Sequence, residues 1–187
     1  MSIQLALDGH SFSVRFPSGD LPEPVTAEVL TPRTLLVPAD ALDPERAADL
    51  LAAAGLAPLA GECTVCSEPQ EGVAAVMAVP EEALRQIAER SGKPVRFTTP
   101  LLHRPTKTDA TVWLLHTAGL LFIKVYRSDV LRFAEVIPAP AEADIQYLLD
   151  RLAGEFPPKE FALHIDAEEP RKLRKIAGNV FKEVVCG

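Results

Sequence analysis

The chain has few cysteines, few aromatic rings and no excess of positive charge, and each shortage removes a class of explanation. Cys63, Cys66 and Cys186 are the only cysteines among 187 residues. That number is too small and odd for a disulfide framework in a chain of this size, which points to the cytoplasm. With 26 acidic against 19 basic residues and a net charge of -7, the protein does not attract phosphate backbones in general. No Gly-rich loop of the Walker type and no G-x-S-x-G elbow occurs. The N-terminal stretch MSIQLALDGHSF has no basic segment ahead of an apolar one, and the most apolar run, Thr111 to Tyr126, is interrupted by His116 and Lys124. Neither export nor membrane spanning is expected.

What is present is apolar material, 48% of the residues, enough for one sizeable core or two small ones. Seventeen prolines and ten glycines punctuate it. Ile3, Leu5 and Leu7 alternate with polar or small residues, as do Phe12, Val14 and Phe16, and Asp8-Gly9 between them predicts a β-hairpin. Val25 to Leu30 and Arg33 to Val37 read as a third strand, or a strand pair bent at Pro32. In LDPERAADLLAAAG, Asp43 can cap, Pro44 fits the first turn and Gly55 the left-handed stop, so a helix is expected from Pro44 to Ala54. ECTVCSE and GVAAVMAVP read as short strands, EEALRQIAERSG as a helix and PVRFTT as the strand that closes the first half.

Pro100, Pro105 and RPTKTD suggest a linker. TVWLLHT, LLFIKVYR and VLRFAEVI follow as three strands joined at Ala118-Gly119 and Ser128-Asp129. Ile145, Leu148, Leu149 and Leu152 then form one stripe of a helix. FALHI reads as a strand, EEPRKLRKIAG as a short helix and FKEVVC as a final strand. The second half is therefore strand-strand-strand-helix-strand-helix-strand, and the first repeats it with an added strand. Two copies of one α/β topology, βββαβαβ, are the simplest account, with halves at 1–108 and 109–187. That order resembles the ribonuclease-H-like unit of actin, sugar kinases and actin-like pilus-assembly proteins.

Four stretches, LDGHSFSV, RTLLVPADALDPERAADLL, VMAVPEEAL and LLFIKVYRSDVLRFAEVIPAPAEADIQYLLDRL, resemble a bacterial family, the domain of unknown function 3822. They are spread from Leu7 to Leu152. The last is the most specific: a strand hairpin leads through Asp144 into a helix with Tyr147, Leu148 and Leu149. The resemblance implies a reduced actin-like protein with a duplicated ribonuclease-H-like fold and no assigned chemistry.

In actin-like ATPases the first hairpin of each half brings an acidic residue and a glycine to the phosphates, with carboxylates holding hydrated Mg²⁺ or orienting water. By that analogy Asp8 and Gly9 of the first hairpin and His116, Thr117 and Gly119 of the second are the cofactor-binding candidates facing a cleft. The second hairpin has no carboxylate, and Asp-Gly between alternating strands is explained by turn chemistry alone.

Cys63 and Cys66 form a lone CxxC in a strand-like run, where neither a helix N-terminus nor a second ligand pair accompanies them. His10, His103, His116 and His164 are scattered, so no metal ligands are assigned. Arg171, Lys172, Arg174 and Lys175 read as a solvated helix face over Leu173 and Ile176.

The sequence thus predicts a cytoplasmic, non-catalytic, degenerate actin-like adaptor or scaffold that meets a protein partner. No cofactor, catalytic residue, membrane contact or nucleic-acid role is assigned. A nucleotide switch of the actin-like class, and an RNA-associated accessory protein using Arg171 to Lys175, are the two alternatives.

Overall fold

The computed structural model describes residues 2–8, 11–106, 108–167, 170–177 and 181–186. The chain divides into two compact units, Met1–His103 and Arg104–Gly187.

In the first unit β1 (Ile3–Asp8) and β2 (Ser11–Arg15) form the expected hairpin, with Asp8 opposite Ser11. The other edge of β1 takes β3 (Val25–Leu30) in parallel, and β3 takes β7 (Val95–Thr98) in parallel, so the order is β2-β1-β3-β7. Strand alternation puts Ile3, Leu5, Leu7, Val25, Ala27 and Val29 into one buried cluster. After Pro32 the chain leaves this sheet. β4 (Thr34–Pro38) joins β5 (Glu62–Cys66) and β6 (Val73–Pro80) in an antiparallel sheet of order β4-β6-β5.

Small side chains on both faces let β6 run between two layers. Ala75, Met77 and Val79 join the cluster of the first sheet, while Ala74, Val76 and Ala78 pack with Ala47 and Leu51 of α1 (Ala47–Ala53). The Asp43 carboxylate accepts from Glu45 N at 3.0 Å, as a cap should, but Pro44–Arg46 forms a 3-10 turn before α1 begins. Helix α2 (Glu81–Ser91) starts directly after Pro80 and stops at Gly92, whose φ of +58° is left-handed, where a residue with a Cβ would be strained.

The second unit has the simpler plan. β8 (Thr111–Thr117), β9 (Leu120–Arg127) and β10 (Val130–Pro138) form a meander, followed by α3 (Glu142–Glu155), β11 (Ala162–Ala167), α4 (Pro170–Ala177) and β12 (Glu183–Cys186). β11 lies parallel to β8 and β12 parallel to β11, giving the order β10-β9-β8-β11-β12. Val112, Leu114, Leu121, Ile123, Leu163 and Ile165 share a buried cluster with Ile145, Leu148, Leu149 and Leu152 of α3 and Leu173 and Ala177 of α4.

The second unit has the expected βββαβαβ order. In the first, the run bent at Pro32 is two strands in two sheets, because Pro32 cannot donate to a ladder and Thr31 turns the chain with its own carbonyl, which accepts from Thr34 Oγ1 at 2.8 Å. β3 consequently occupies the place beside β1 that β11 occupies beside β8. No helix among the described residues is long and apolar enough to cross a membrane.

Candidate functional site

The second hairpin turns in two residues between Thr117 and Leu120. Ala118 (φ 50°) and Gly119 (φ 69°) both lie in the left-handed region, the geometry whose twist matches paired strands. His116 Nε2 lies 3.0 Å from the carbonyl oxygen of Ala139. A carbonyl only accepts, so Nε2 carries the proton. The Gly119 carbonyl accepts from Ala139 N at 2.8 Å. Two of the candidate cofactor residues therefore clasp the segment that follows β10.

His116, Thr117 and Gly119 also line a cavity of about 200 Å³ with Ala141, Glu142 and Lys172, at the first turns of α3 and α4. Its positive groups have partners within the chain. Asp144 Oδ2 accepts from Ala141 N at 2.9 Å at the N-terminus of α3, and Lys172 Nζ lies 3.1 Å from Glu142 Oε1. Asp8 and Gly9 belong to the first unit. Asp8 ends β1, and Gly9 is outside the described residues.

Cys63 and Cys66 stand three apart on β5, so alternation sends them to opposite faces. Cys63 packs on the cluster of Leu5 and Val79, Cys66 on that of Leu51 and Val76. They cannot close one site together. Burial raises both thiols above their ordinary pKa, with the nearby Glu81 carboxylate adding to the effect at Cys63.

On the second sheet, opposite the face covered by α3 and α4, register lines up Ala134, Lys124, Trp113, His164 and Val185 across five strands. Lys124 is fully buried, with Nζ 4.2 Å from the centroid of the Trp113 ring. Trp113 Nε1 donates to Asp166 Oδ2 at 2.7 Å. Burial lowers the Lys124 pKa to about 7, against the opposing pull of Asp166. His164 Nε2 is buried without a hydrogen-bond partner among the described residues. The signals in the sequence for this row were a lysine inside LLFIKVYR and a histidine inside FALHI.

The basic cluster does form a helix face. Arg171, Arg174 and Lys175 of α4 are exposed, and with Phe181, Lys182, Glu183 and Val184 they line an open groove of about 570 Å³. Lys172, on the other flank of α4, is the one paired with Glu142. Lys182 was missed in the sequence because it follows the helix in the chain and joins the cluster only through the α4 to β12 connection.

No family model and no curated protein matches the chain. Among solved structures, a Bacteroides thetaiotaomicron protein with an actin-like ATPase fold and unknown function superposes with a TM-score of 0.75 at 13% identity, over 100% of this chain and 90% of that one. The chain thus has an actin-like ATPase fold. A type IV pilus biogenesis complex, PilM-PilN, gives a TM-score of 0.45 at 13% identity, over 100% of this chain and 90% of that chain. The cytoplasmic domain of EpsL, an inner-membrane component of the Vibrio cholerae type II secretion system, gives 0.37 at 15% identity, over 76% of this chain and 60% of that one. At those two scores neither bears on the reading of this chain.

Proposed function

We propose that this chain is a degenerate actin-like protein of the domain of unknown function 3822 family, working as an adaptor or scaffold that holds a protein partner and not as a nucleotide hydrolase. The observation that carries the reading is the double clasp on Ala139. A phosphate-binding hairpin needs its donors free to meet the ligand, whereas here the His116 Nε2 donor is taken by the Ala139 carbonyl, and the Gly119 carbonyl, an acceptor, fixes the turn to the Ala139 amide. The neighbouring Lys172 is matched by Glu142, so the cavity has little positive charge left for a polyphosphate. Asp8-Gly9 is read as a turn, since one acidic residue falls short of the carboxylate help that Mg²⁺ normally receives.

The halves 1–108 and 109–187 are read as diverged copies of one unit. The matched pairings support this: β1 with β2 and β3, and β8 with β9 and β11, each combine one antiparallel and one parallel neighbour. In the first copy the β4–β6 sheet and α1 are additions, inserted between β3 and α2.

Thermal melting in saturating Mg-ATP tests the proposal. A ligand at one hundred times its dissociation constant adds about 2.7 kcal/mol of stability. The adaptor reading predicts an unchanged melting temperature; a clear rise would overturn it in favour of a nucleotide switch.

A further inference from the structure

We propose that the basic groove between α4 and β12 receives an extended acidic segment of a partner protein, which adds to the sheet alongside β12. The inference rests on the adaptor reading and supplies its partner chemistry. β12 ends the order β10-β9-β8-β11-β12, and among the described residues it has a strand neighbour only on the β11 side. Its outer edge therefore offers backbone groups to another strand. Val184 packs toward α4 with the buried cluster, and Glu183 beside it also lines the groove, leaving four cationic side chains against one carboxylate among the described lining residues.

Charge selects the occupant. Arg171, Arg174 and Lys175 fall at i, i+3 and i+4, one stripe of the helix, and none of them, nor Lys182, is ion-paired with a described carboxylate. The helix dipole accounts for cations in the last turn, at Arg174 and Lys175, but not for Arg171 at the start or Lys182 beyond the end. Neighbours on such a stripe stand about 5–6 Å apart at Cβ. Same-face residues of an extended chain repeat every ~6.6 Å, twice the strand rise. A segment with Asp or Glu at alternate positions can thus set successive carboxylates against successive cations while its backbone pairs with β12.

Nucleic acid fits less well. The aromatic ring of the groove, Phe181, is buried, so no stacking platform is offered, and the chain as a whole is acidic.

The test is fluorescence anisotropy of a labelled synthetic peptide in which Glu alternates with Thr and Val, titrated with the full chain. Binding is expected, weakened about tenfold or more by the surface double variant Arg174→Glu/Lys175→Glu, a loss of about 1.4 kcal/mol or more. The same peptide with N-methylated backbone amides should lose a comparable factor against the unaltered protein, because it cannot complete a ladder. Absence of binding, indifference to the charge reversal, or indifference to N-methylation would each overturn the proposal. So would tighter binding of a labelled single-stranded RNA, in favour of nucleic acid. Failure here with melting still unmoved by Mg-ATP removes this groove and leaves the adaptor reading intact; a shift with Mg-ATP removes the adaptor reading itself.

Discussion

The ammonium of Lys124 sits 4.2 Å from the centroid of the Trp113 ring, in a position with no exposed surface at all. A cation over an indole face is attracted by the ring quadrupole, by about 2 kcal/mol when desolvated. The cost of removing the charge from water exceeds this, which is why burial lowers its pKa to about 7.

That imbalance fixes a pH dependence. The folded chain releases the Lys124 proton near pH 7, while the unfolded chain keeps it to near the ordinary value of 10.5. Between the two the unfolded state binds more protons, so this residue makes stability rise with pH, at about 1.4 kcal/mol per unit. Lys124→Met, which keeps the stem, should stabilise the protein below pH 7, with the gain shrinking toward pH 10. Urea unfolding of both proteins across that range measures the difference. A pH-independent difference, or a loss at low pH, would mean that the buried cation is held by stronger partners than the indole.

Ala118 stands at φ 50°, where a Cβ is strained, beside Gly119 in a turn that favours Asn-Gly. Ala118→Asn should therefore raise stability by about 0.5–1 kcal/mol. Denaturant midpoints at matched slope would show it. No gain would mean that this strain is relieved by neighbours of the turn.

In the first unit Arg33, just before β4, and Glu62, at the start of β5, make a two-pronged ion pair, with Arg33 Nε 2.9 Å from Glu62 Oε2 and both side chains largely covered. Arg33→Met leaves Glu62 covered and short of its partner, at a cost of about 2–3 kcal/mol. Adding Glu62→Leu should recover much of that loss, because the uncompensated charge is then gone. A double variant no better than the single would show that the pair contributes beyond mutual neutralisation.

Period and punctuation made most of the elements legible. Alternation announced β1 and β2, and the apolar spacing of Ile145, Leu148, Leu149 and Leu152 announced α3. Partnership was not legible. Val25 to Leu30 reads as a strand whether it follows β2 in a meander or, as found, lies beside β1, because one buried face looks the same against either neighbour. The small residues of β6 hinted at burial on both faces without saying which layer lay on each. At the candidate hairpin the types of His116 and Gly119 were plain, yet their clasp on Ala139 spans a separation that no local pattern encodes. Lys124 was visible as an oddity in an apolar strand. Its meaning needed Trp113 and Asp166, which only the register of β8, β9 and β11 brings alongside.

The central claim, that this actin-like chain holds a partner without using a nucleotide, is tested most directly by quantitative affinity capture from its own cells. The tagged chain and its Asp8→Asn variant are compared, each with and without apyrase to remove ATP. The account predicts one protein recovered in near-equal amount with the tagged chain under all four conditions. A partner lost on ATP removal, and lost equally in Asp8→Asn, would contradict it and place a phosphate at the first hairpin.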